Sequence, residues 1–353
     1  MSILRVPVVS KDERPLTPCT PAKARKLLRG GVAKKKWSRL GIFYIQMLED
    51  TRKHTPRMCL GLDPGSKFDG VAVVSEKVVL QAGMLELPKG IAKKVEQRRE
   101  QRRSRRYRNC RRRPCRFANR RRSEGWVTPS QRAKVDFRLK IVEELNKIYP
   151  ITEAVVEDVR FNHYRKRWGK HFSTVEVGKT IVYETLVLWF NSLKLVGGVD
   201  TAELRDRYHA GKCPDKRKRV VESHAIDALV IAANEVGLDE LVVWSFFVWK
   251  RCQYPRRQLH KFQPEKGGVR RREGGSMSLE GFRKRDVVLY RGGLARVGGY
   301  RNRLISLHGV DVDNKRFTQR ANPNDCVRLF NQRIMCSAIP LILKGGGLTY
   351  GGQ

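Results

Sequence analysis

Thirty consecutive residues, Lys93 to Arg122, can form no part of a hydrophobic core, and any fold for this chain must hold them outside one. Sixteen of the thirty are Lys or Arg, and only Glu96 and Glu100 oppose them. From Lys93 to Arg113 there is no Gly or Pro, and Glu, Gln and Arg dominate, so the spacing predicts a helix that Pro114 ends. Arginines recur on every side of that helix and leave no apolar stripe to dock on a core. Alone in water such a helix repels itself. A polyanion alongside would neutralise it, and the planar guanidinium fork matches phosphate. The ordinary alternative is a solvated basic helix or tail. The stretch is internal, with patterned sequence on both sides.

The whole chain repeats this bias: 74 basic against 35 acidic residues give a formal charge of +39 over 353 residues. Charge on that scale points to a nucleic-acid partner. No amphipathic anchor, signal peptide or spanning apolar run is evident, so no membrane partner is expected and the expected location is cytoplasmic. The eight cysteines form no Cys-x-x-Cys pair, Cys110 and Cys115 being the nearest approach, which argues against a structural zinc site. The length allows two or three domains, and an apolar content of 40% allows a folded core beneath the charge.

Read in order, Val6 to Val9 is a strand candidate. Thr20 and Pro21 open a short helix to about Arg29, stopped by Gly30-Gly31. Gly41 to Leu48 is another strand. Cys59 to Leu62, Phe68 to Ser75 and Val78 to Leu85 form a meander. A helix starts at Thr128-Pro129 and runs through Ile148, with Val135, Leu139, Val142 and Leu145 on one face. Ile151 to Val156 is a near-continuous apolar strand of the kind buried on both sides. A long helix over Val175 to Leu193, a strand, a short basic loop and a helix over Val221 to Val236 follow. Strand-like Leu241 to Val248 completes a mixed α/β sheet with helices on its faces. After a Gly-, Pro-, Arg- and Gln-rich linker, strands are expected at Asp286 to Tyr290, Gly292 to Tyr300, Arg303 to His308, Arg316 to Gln319 and Asp325 to Phe330. They fit a small β-barrel of SH3 or OB size.

Three carboxylates stand out by position. Asp63 ends one strand, Glu157 ends another, and Asp227 lies in an otherwise apolar helix with His224 three residues before it. Acids in such places cost desolvation unless a cation holds them. Two divalent metals and a phosphodiester would do so, with His224 taking a proton from the attacking water. Each also has an ordinary reading. Asp63 begins an Asp-Pro-Gly turn, Glu157 follows a strand beside Asp158 as the solvated member, and His224 is a helix histidine.

Taken together, Asp63 within GLDPGS, Glu157 within VVED, and His224 with Asp227 within SHAIDALVIA resemble the three split motifs of a RuvC nuclease, an RNase H-like fold. An arginine-rich bridge helix after the first motif is similar to that of IscB-type proteins, and PLTPCTPAKARKLL resembles their PLMP module with Thr17 in place of Met. His224 follows Glu157 by 67 positions, with no HNH signature between them. That departure resembles IsrB, the HNH-lacking relative. The C-terminal RDVVLYRGGLARVGGY would correspond to a domain that reads a short target-adjacent motif. The implied organisation is a PLMP-like module at 1–55, RuvC part I at 56–90, the bridge helix at 91–125 and RuvC parts II and III at 126–252. A linker at 253–281 and a C-terminal β domain at 282–345 complete it.

The resemblance implies an RNA-guided DNA nickase that cuts the non-target strand at one RuvC site. Asp63, Glu157 and Asp227 would hold two Mg²⁺ or Mn²⁺ ions, with His224 as base. Its partners would be a structured guide RNA and a double-stranded DNA target carrying a short adjacent motif, bound by a protein monomer in a ribonucleoprotein. Bridge residues Arg98, Arg99, Arg102, Arg103, Arg105 and Arg106 would meet phosphates. So would Arg108, Arg111, Arg112 and Arg113 beyond them, then Arg116 and Arg120, and Lys216 with Arg217 in the later basic loop. The alternatives are a guide-independent or junction-selective RuvC-type endonuclease, and a non-catalytic RNA-binding protein on the same fold.

Overall fold

The computed structural model describes residues 4–51, 55–106, 125–159, 176, 178–211, 213, 218–251, 262–263, 268–269, 280–311, 314–332 and 334–340. The N-terminal module is a four-stranded sheet of Val6–Val9 (β1), Pro15–Cys19 (β2), Ala33–Trp37 (β3) and Phe43–Met47 (β4), ordered β2-β1-β4-β3. Its helix, Pro21–Arg29 (α1), begins where the cap predicts: the Thr20 hydroxyl accepts from Lys23 N at 3.3 Å. Strands β2 and β3 were not expected, because PLTPC carries two prolines and AKKKW three consecutive lysines.

Side-chain alternation in the next three strands sets the architecture. In Met58–Asp63 (β5), Leu60 and Leu62 point to one face while Cys59, Gly61 and Asp63 point to the other. Phe68–Ser75 (β6) and Val78–Glu86 (β7) continue the meander. The basic helix starts at Ile91, two residues earlier than expected, and is described to Arg106 (α2). The rest of the basic stretch lies outside the described residues. Helix Pro129–Asn146 (α3) packs Ile141, Val142 and Leu145 on Leu60, Leu62 and Val71. Its N-terminal Thr128 makes no side-chain capping bond.

Glu153–Glu157 (β8) lies parallel to β5, and beyond it come Lys179–Trp189 (α4) and Ser192–Val196 (β9), parallel to β8. Helix α4 is shorter than the expected Val175 to Leu193. Gly198–Arg207 (α5) was not foreseen and packs beside Val221–Val236 (α6), whose bounds match the sequence reading. Apolar almost all round, α6 is buried against the second face of the sheet, where Ala225, Ala228, Leu229 and Ala232 meet Cys59, Ala72, Val74 and Met84. Ser245–Arg251 (β10) runs parallel to β7. Helices therefore cover both faces of a mixed sheet.

A two-residue pair, Phe262–Gln263 (β11) with Gly268–Val269 (β12), falls in the expected linker. Asp286–Tyr290 (β13), Gly293–Arg301 (β14), Leu304–His308 (β15), Arg316–Ala321 (β16) and Cys326–Asn331 (β17) follow as an antiparallel sheet ordered β16-β15-β14-β13-β17. Among the described residues β16 and β17 share no ladder, so the observed form is an open five-stranded sheet rather than a closed barrel. The final strand, Ile334–Pro340 (β18), returns to the large sheet and pairs antiparallel with β10 along its whole length. The small sheet is thus an insertion between two paired strands of the large one. Trp37 of β3 stacks on Phe330 of β17, ring centroids 5.8 Å apart and 11° from parallel, which joins the N-terminal module to it.

Candidate active site

The large sheet is ordered β18-β10-β7-β6-β5-β8-β9. Strands β5 and β8 are parallel neighbours, with Leu62 opposite Val156, so Asp63 and Glu157 emerge side by side at the same end. Both point to the α6 face. Two glycines let the helix come down to meet them. A Cβ on Gly61 would stand 1.8 Å from the Ala228 carbonyl oxygen, and one on Gly70 1.9 Å from that of His224. Helix and strand backbones therefore touch directly at two points one turn apart. Asp227, beside the first contact and 1% exposed, is delivered to the strand ends. Ligand oxygens of Asp63, Glu157 and Asp227 all lie within 4.8 Å of one another.

Three carboxylates this close oppose one another's ionisation. Burial, then the charge of and hydrogen bond with Glu157, then Asp227 and Asp69, hold the Asp63 carboxyl well above the usual carboxylate range. Part of the remaining charge is met by a residue the sequence did not single out: Arg205 of α5 donates from Nη1 to Asp227 Oδ1 at 2.7 Å. The donor set fits a divalent cation. It offers three convergent carboxylate oxygens, hard ligands of the kind such an ion takes, and a bound cation would relieve the crowding that disfavours the ionised Asp63.

His224 sits one turn before Asp227. Its ring packs on Phe68 at 4.9 Å between centroids, and Nε2 lies 3.2 Å from the Lys218 carbonyl oxygen. A carbonyl only accepts, so Nε2 carries a proton in this contact. The four acid and imidazole positions singled out in the sequence are brought to one end of one sheet.

Asp69 points to the opposite face, fully buried, where Arg138 of α3 grips it through Nε at 2.8 Å and Nη2 at 2.9 Å. The same carboxylate accepts from Gly65 N at 2.8 Å, which fixes the Asp63-Pro64-Gly65 turn. Asp158, expected as the solvated neighbour of Glu157, instead accepts from Lys179 Nζ at 2.7 Å and Tyr183 Oη at 3.0 Å. The reason is strand alternation, which sends consecutive acids to opposite faces.

Of the expected phosphate contacts, Arg98, Arg99, Arg102 and Arg103 are exposed on α2, and Arg105 and Arg106 lie in its last turn. Arg108, Arg111, Arg112, Arg113, Arg116, Arg120, Lys216 and Arg217 lie outside the described residues. Among the described residues no helix is long and apolar enough to cross a membrane.

A family profile described as RRXRR protein matches residues 6–177, a span that holds Asp63, Glu157 and α2 but stops short of His224 and Asp227. No curated protein matches the chain. Among solved structures, Thermus thermophilus RuvC in complex with a Holliday junction substrate is similar at 15% identity and TM-score 0.30, over 53% of this chain and 99% of that one. The yeast mitochondrial Holliday junction resolvase Ydc2 is similar at 10% identity and TM-score 0.31, over 50% and 77%. Likeness that distant carries no activity with it. The strand order speaks more directly: β7-β6-β5-β8-β9 runs third, second, first, fourth, fifth, with only the second antiparallel. With an acid at the end of the first and fourth strands and a third on the helix across them, this is an RNase H-like arrangement with a candidate metal-binding triad.

Proposed function

We propose that the protein is a metal-dependent DNA endonuclease that hydrolyses one phosphodiester per engagement at this centre. The observation that carries the reading is the convergence of Asp63, Glu157 and Asp227 within 4.8 Å beside His224. These three acids would hold divalent ions, Mg²⁺ or Mn²⁺, which supply Lewis-acid polarisation of the phosphate and charge for the leaving oxygen. His224 would take a proton from the water that attacks phosphorus, and its contacts with the Lys218 carbonyl and the Phe68 ring hold the imidazole in place. Arg205 donates to Asp227 and offsets part of the triad's negative charge.

Two finer readings share this chemistry. RNA-guided nicking of the non-target strand, as in IsrB, is supported by the motif set, the arginine-rich α2 and the PLMP-like N-terminus. Guide-independent, junction-selective cleavage needs only the same centre, and the solved structures of similar fold are named for Holliday junctions. One experiment separates them. Protein co-expressed with its neighbouring non-coding RNA is given supercoiled plasmid bearing a matching target beside randomised flanks, and separately a four-way junction without RNA. Open-circle product that needs metal, Asp63 and a matched guide supports the first reading. Metal-dependent junction cleavage without RNA supports the second. Retention of either activity by Asp63→Asn would overturn the assignment of the centre itself.

A further inference from the structure

We propose that Lys89, Arg219 and Lys250, gathered around the buried Glu86 carboxylate, form a subsite for a backbone phosphate of the strand being cut, near the scissile bond. The inference rests on reading the carboxylate triad as a nuclease centre. Glu86 ends β7 at the same sheet end as Asp63 and on the same face. Its Oε1 receives Lys89 Nζ at 3.2 Å and Lys250 Nζ at 3.5 Å, and its Oε2 faces Arg219 Nε at 3.5 Å. One carboxylate, its side chain 9% exposed, thus holds three cations that are 56%, 34% and 44% exposed. The group carries a net charge of +2 turned to solvent. Glu86 Oε2 makes no hydrogen bond of its own, so the cluster is incompletely bonded as it stands.

Position supplies the second argument. Glu86 pairs across the ladder with Phe68 on one side and Lys250 on the other. Lys89 Nζ lies 5.0 Å from the centre of the Phe68 ring, whose other contact is the His224 imidazole. Lys89 and the candidate base therefore meet the same aromatic ring. Two strand spacings of about 4.8 Å separate Glu86 from Asp63 laterally. Their ladder partners, Phe68 and Gly70, are two residues apart on β6, so the cluster lies within a few nucleotides' reach of the triad. An anion of fixed spacing from the reacting phosphate is what this arrangement accommodates, and Glu86 acts as the positioning residue that keeps three mobile side chains converged.

The test uses the full chain and two probes. First, a fluorescein-labelled single-stranded oligodeoxynucleotide is bound by D63N protein and by D63N carrying K89Q, R219Q and K250Q across a salt series. Loss of three contacts should lower the magnitude of the log K against log[salt] slope by about 2. The melting temperature serves as the folding control, and the Mn²⁺-induced shift is compared in the two proteins with Asp63 intact. Second, single methylphosphonate linkages are scanned around the cut site with Asp63 intact. One linkage on one side of the scissile bond should slow the wild type about tenfold or more and leave the triple variant unaffected. E86Q should show a weakened version of the same pattern. An unchanged salt slope in a folded triple variant overturns the subsite, whether or not any substrate is cut. A reduced slope with no methylphosphonate coupling overturns its assignment to the cut strand and places the contact on other nucleic acid.

Discussion

Asp63 and Arg205 have opposite effects on the metal-free protein, and the sign of each is fixed by charge. Asp63 is crowded by Glu157 and Asp227, so in the absence of a cation its ionised form is disfavoured. Replacing it by Asn removes that conflict. D63N without metal should melt higher than the wild type, on the order of 1–2 kcal/mol more stable. It should also lose the rise in melting temperature that Mn²⁺ gives the wild type. A lower melting temperature for D63N would argue that the carboxylates are not in conflict. Arg205 works the other way. Its guanidinium offsets the buried Asp227 carboxylate, so R205A should destabilise the metal-free protein by about 2–4 kcal/mol. Because a bound cation would then replace charge that Arg205 supplies in the wild type, the Mn²⁺-induced shift should be larger than in the wild type. Equal shifts in the two proteins would remove Arg205 from the site's electrostatics. Asp227 was legible because a carboxylate inside VESHAIDALVIAAN sits among apolar residues, whereas Asp63 and Glu157, each with an ordinary reading alone, stood out only as members of a set. Arg205 was not, since GVDTAELRDR mixes acids and bases without an apolar pattern that marks it as a helix at all.

At the scale of elements, the site depends on how closely α6 lies on β5 and β6. The bare backbone at Gly61 and Gly70 sets that distance, and any side chain there must push the helix away. G70A should therefore cost about 3 kcal/mol or more, well beyond the usual price of Gly to Ala in a strand. It should also abolish the Mn²⁺-induced melting shift, because lifting α6 withdraws Asp227 from Asp63 and Glu157. Thermal melts with and without Mn²⁺ would check both parts, and a G70A protein that still responds to metal would show that the close approach does not set the triad. Helix α6 and strand β6 could be bounded from sequence because one is almost wholly apolar and the other is flanked by turn residues. The two glycines gave a fainter signal. An interior strand glycine marks either a bulge or a close backbone approach, and only the tertiary packing tells which. Likewise nothing in FDGVAVV marks Asp69, yet it anchors the turn after Asp63 and is itself held by Arg138.

Across the whole molecule, the chain closes on itself in a way that local pattern does not reveal. The small antiparallel sheet was legible from its short strands and Gly turns. Its place inside the large sheet was not, because the β10–β18 ladder joins residues 245–251 to residues 334–340 with the entire insertion between them. IMCSAIP has no alternation of its own to announce a strand; its register comes from Ser245 to Arg251. This topology makes β18 part of the sheet that carries Asp63 and Glu157. Chain termination after Gln332 would leave the five-stranded sheet intact but strip β10 of a seven-residue partner and uncover Val248 and Phe246, both buried now. The truncated protein should melt several degrees lower and aggregate through the bared edge as it does so. Its Mn²⁺-induced shift should persist below the transition, since Asp63, Glu157 and Asp227 lie on the other side of β6 and β7. Light scattering recorded alongside the melt distinguishes this from simple loss of the small sheet. Unchanged stability and solubility would mean that β18 adds nothing to the large sheet, and the return of the chain would need another reason.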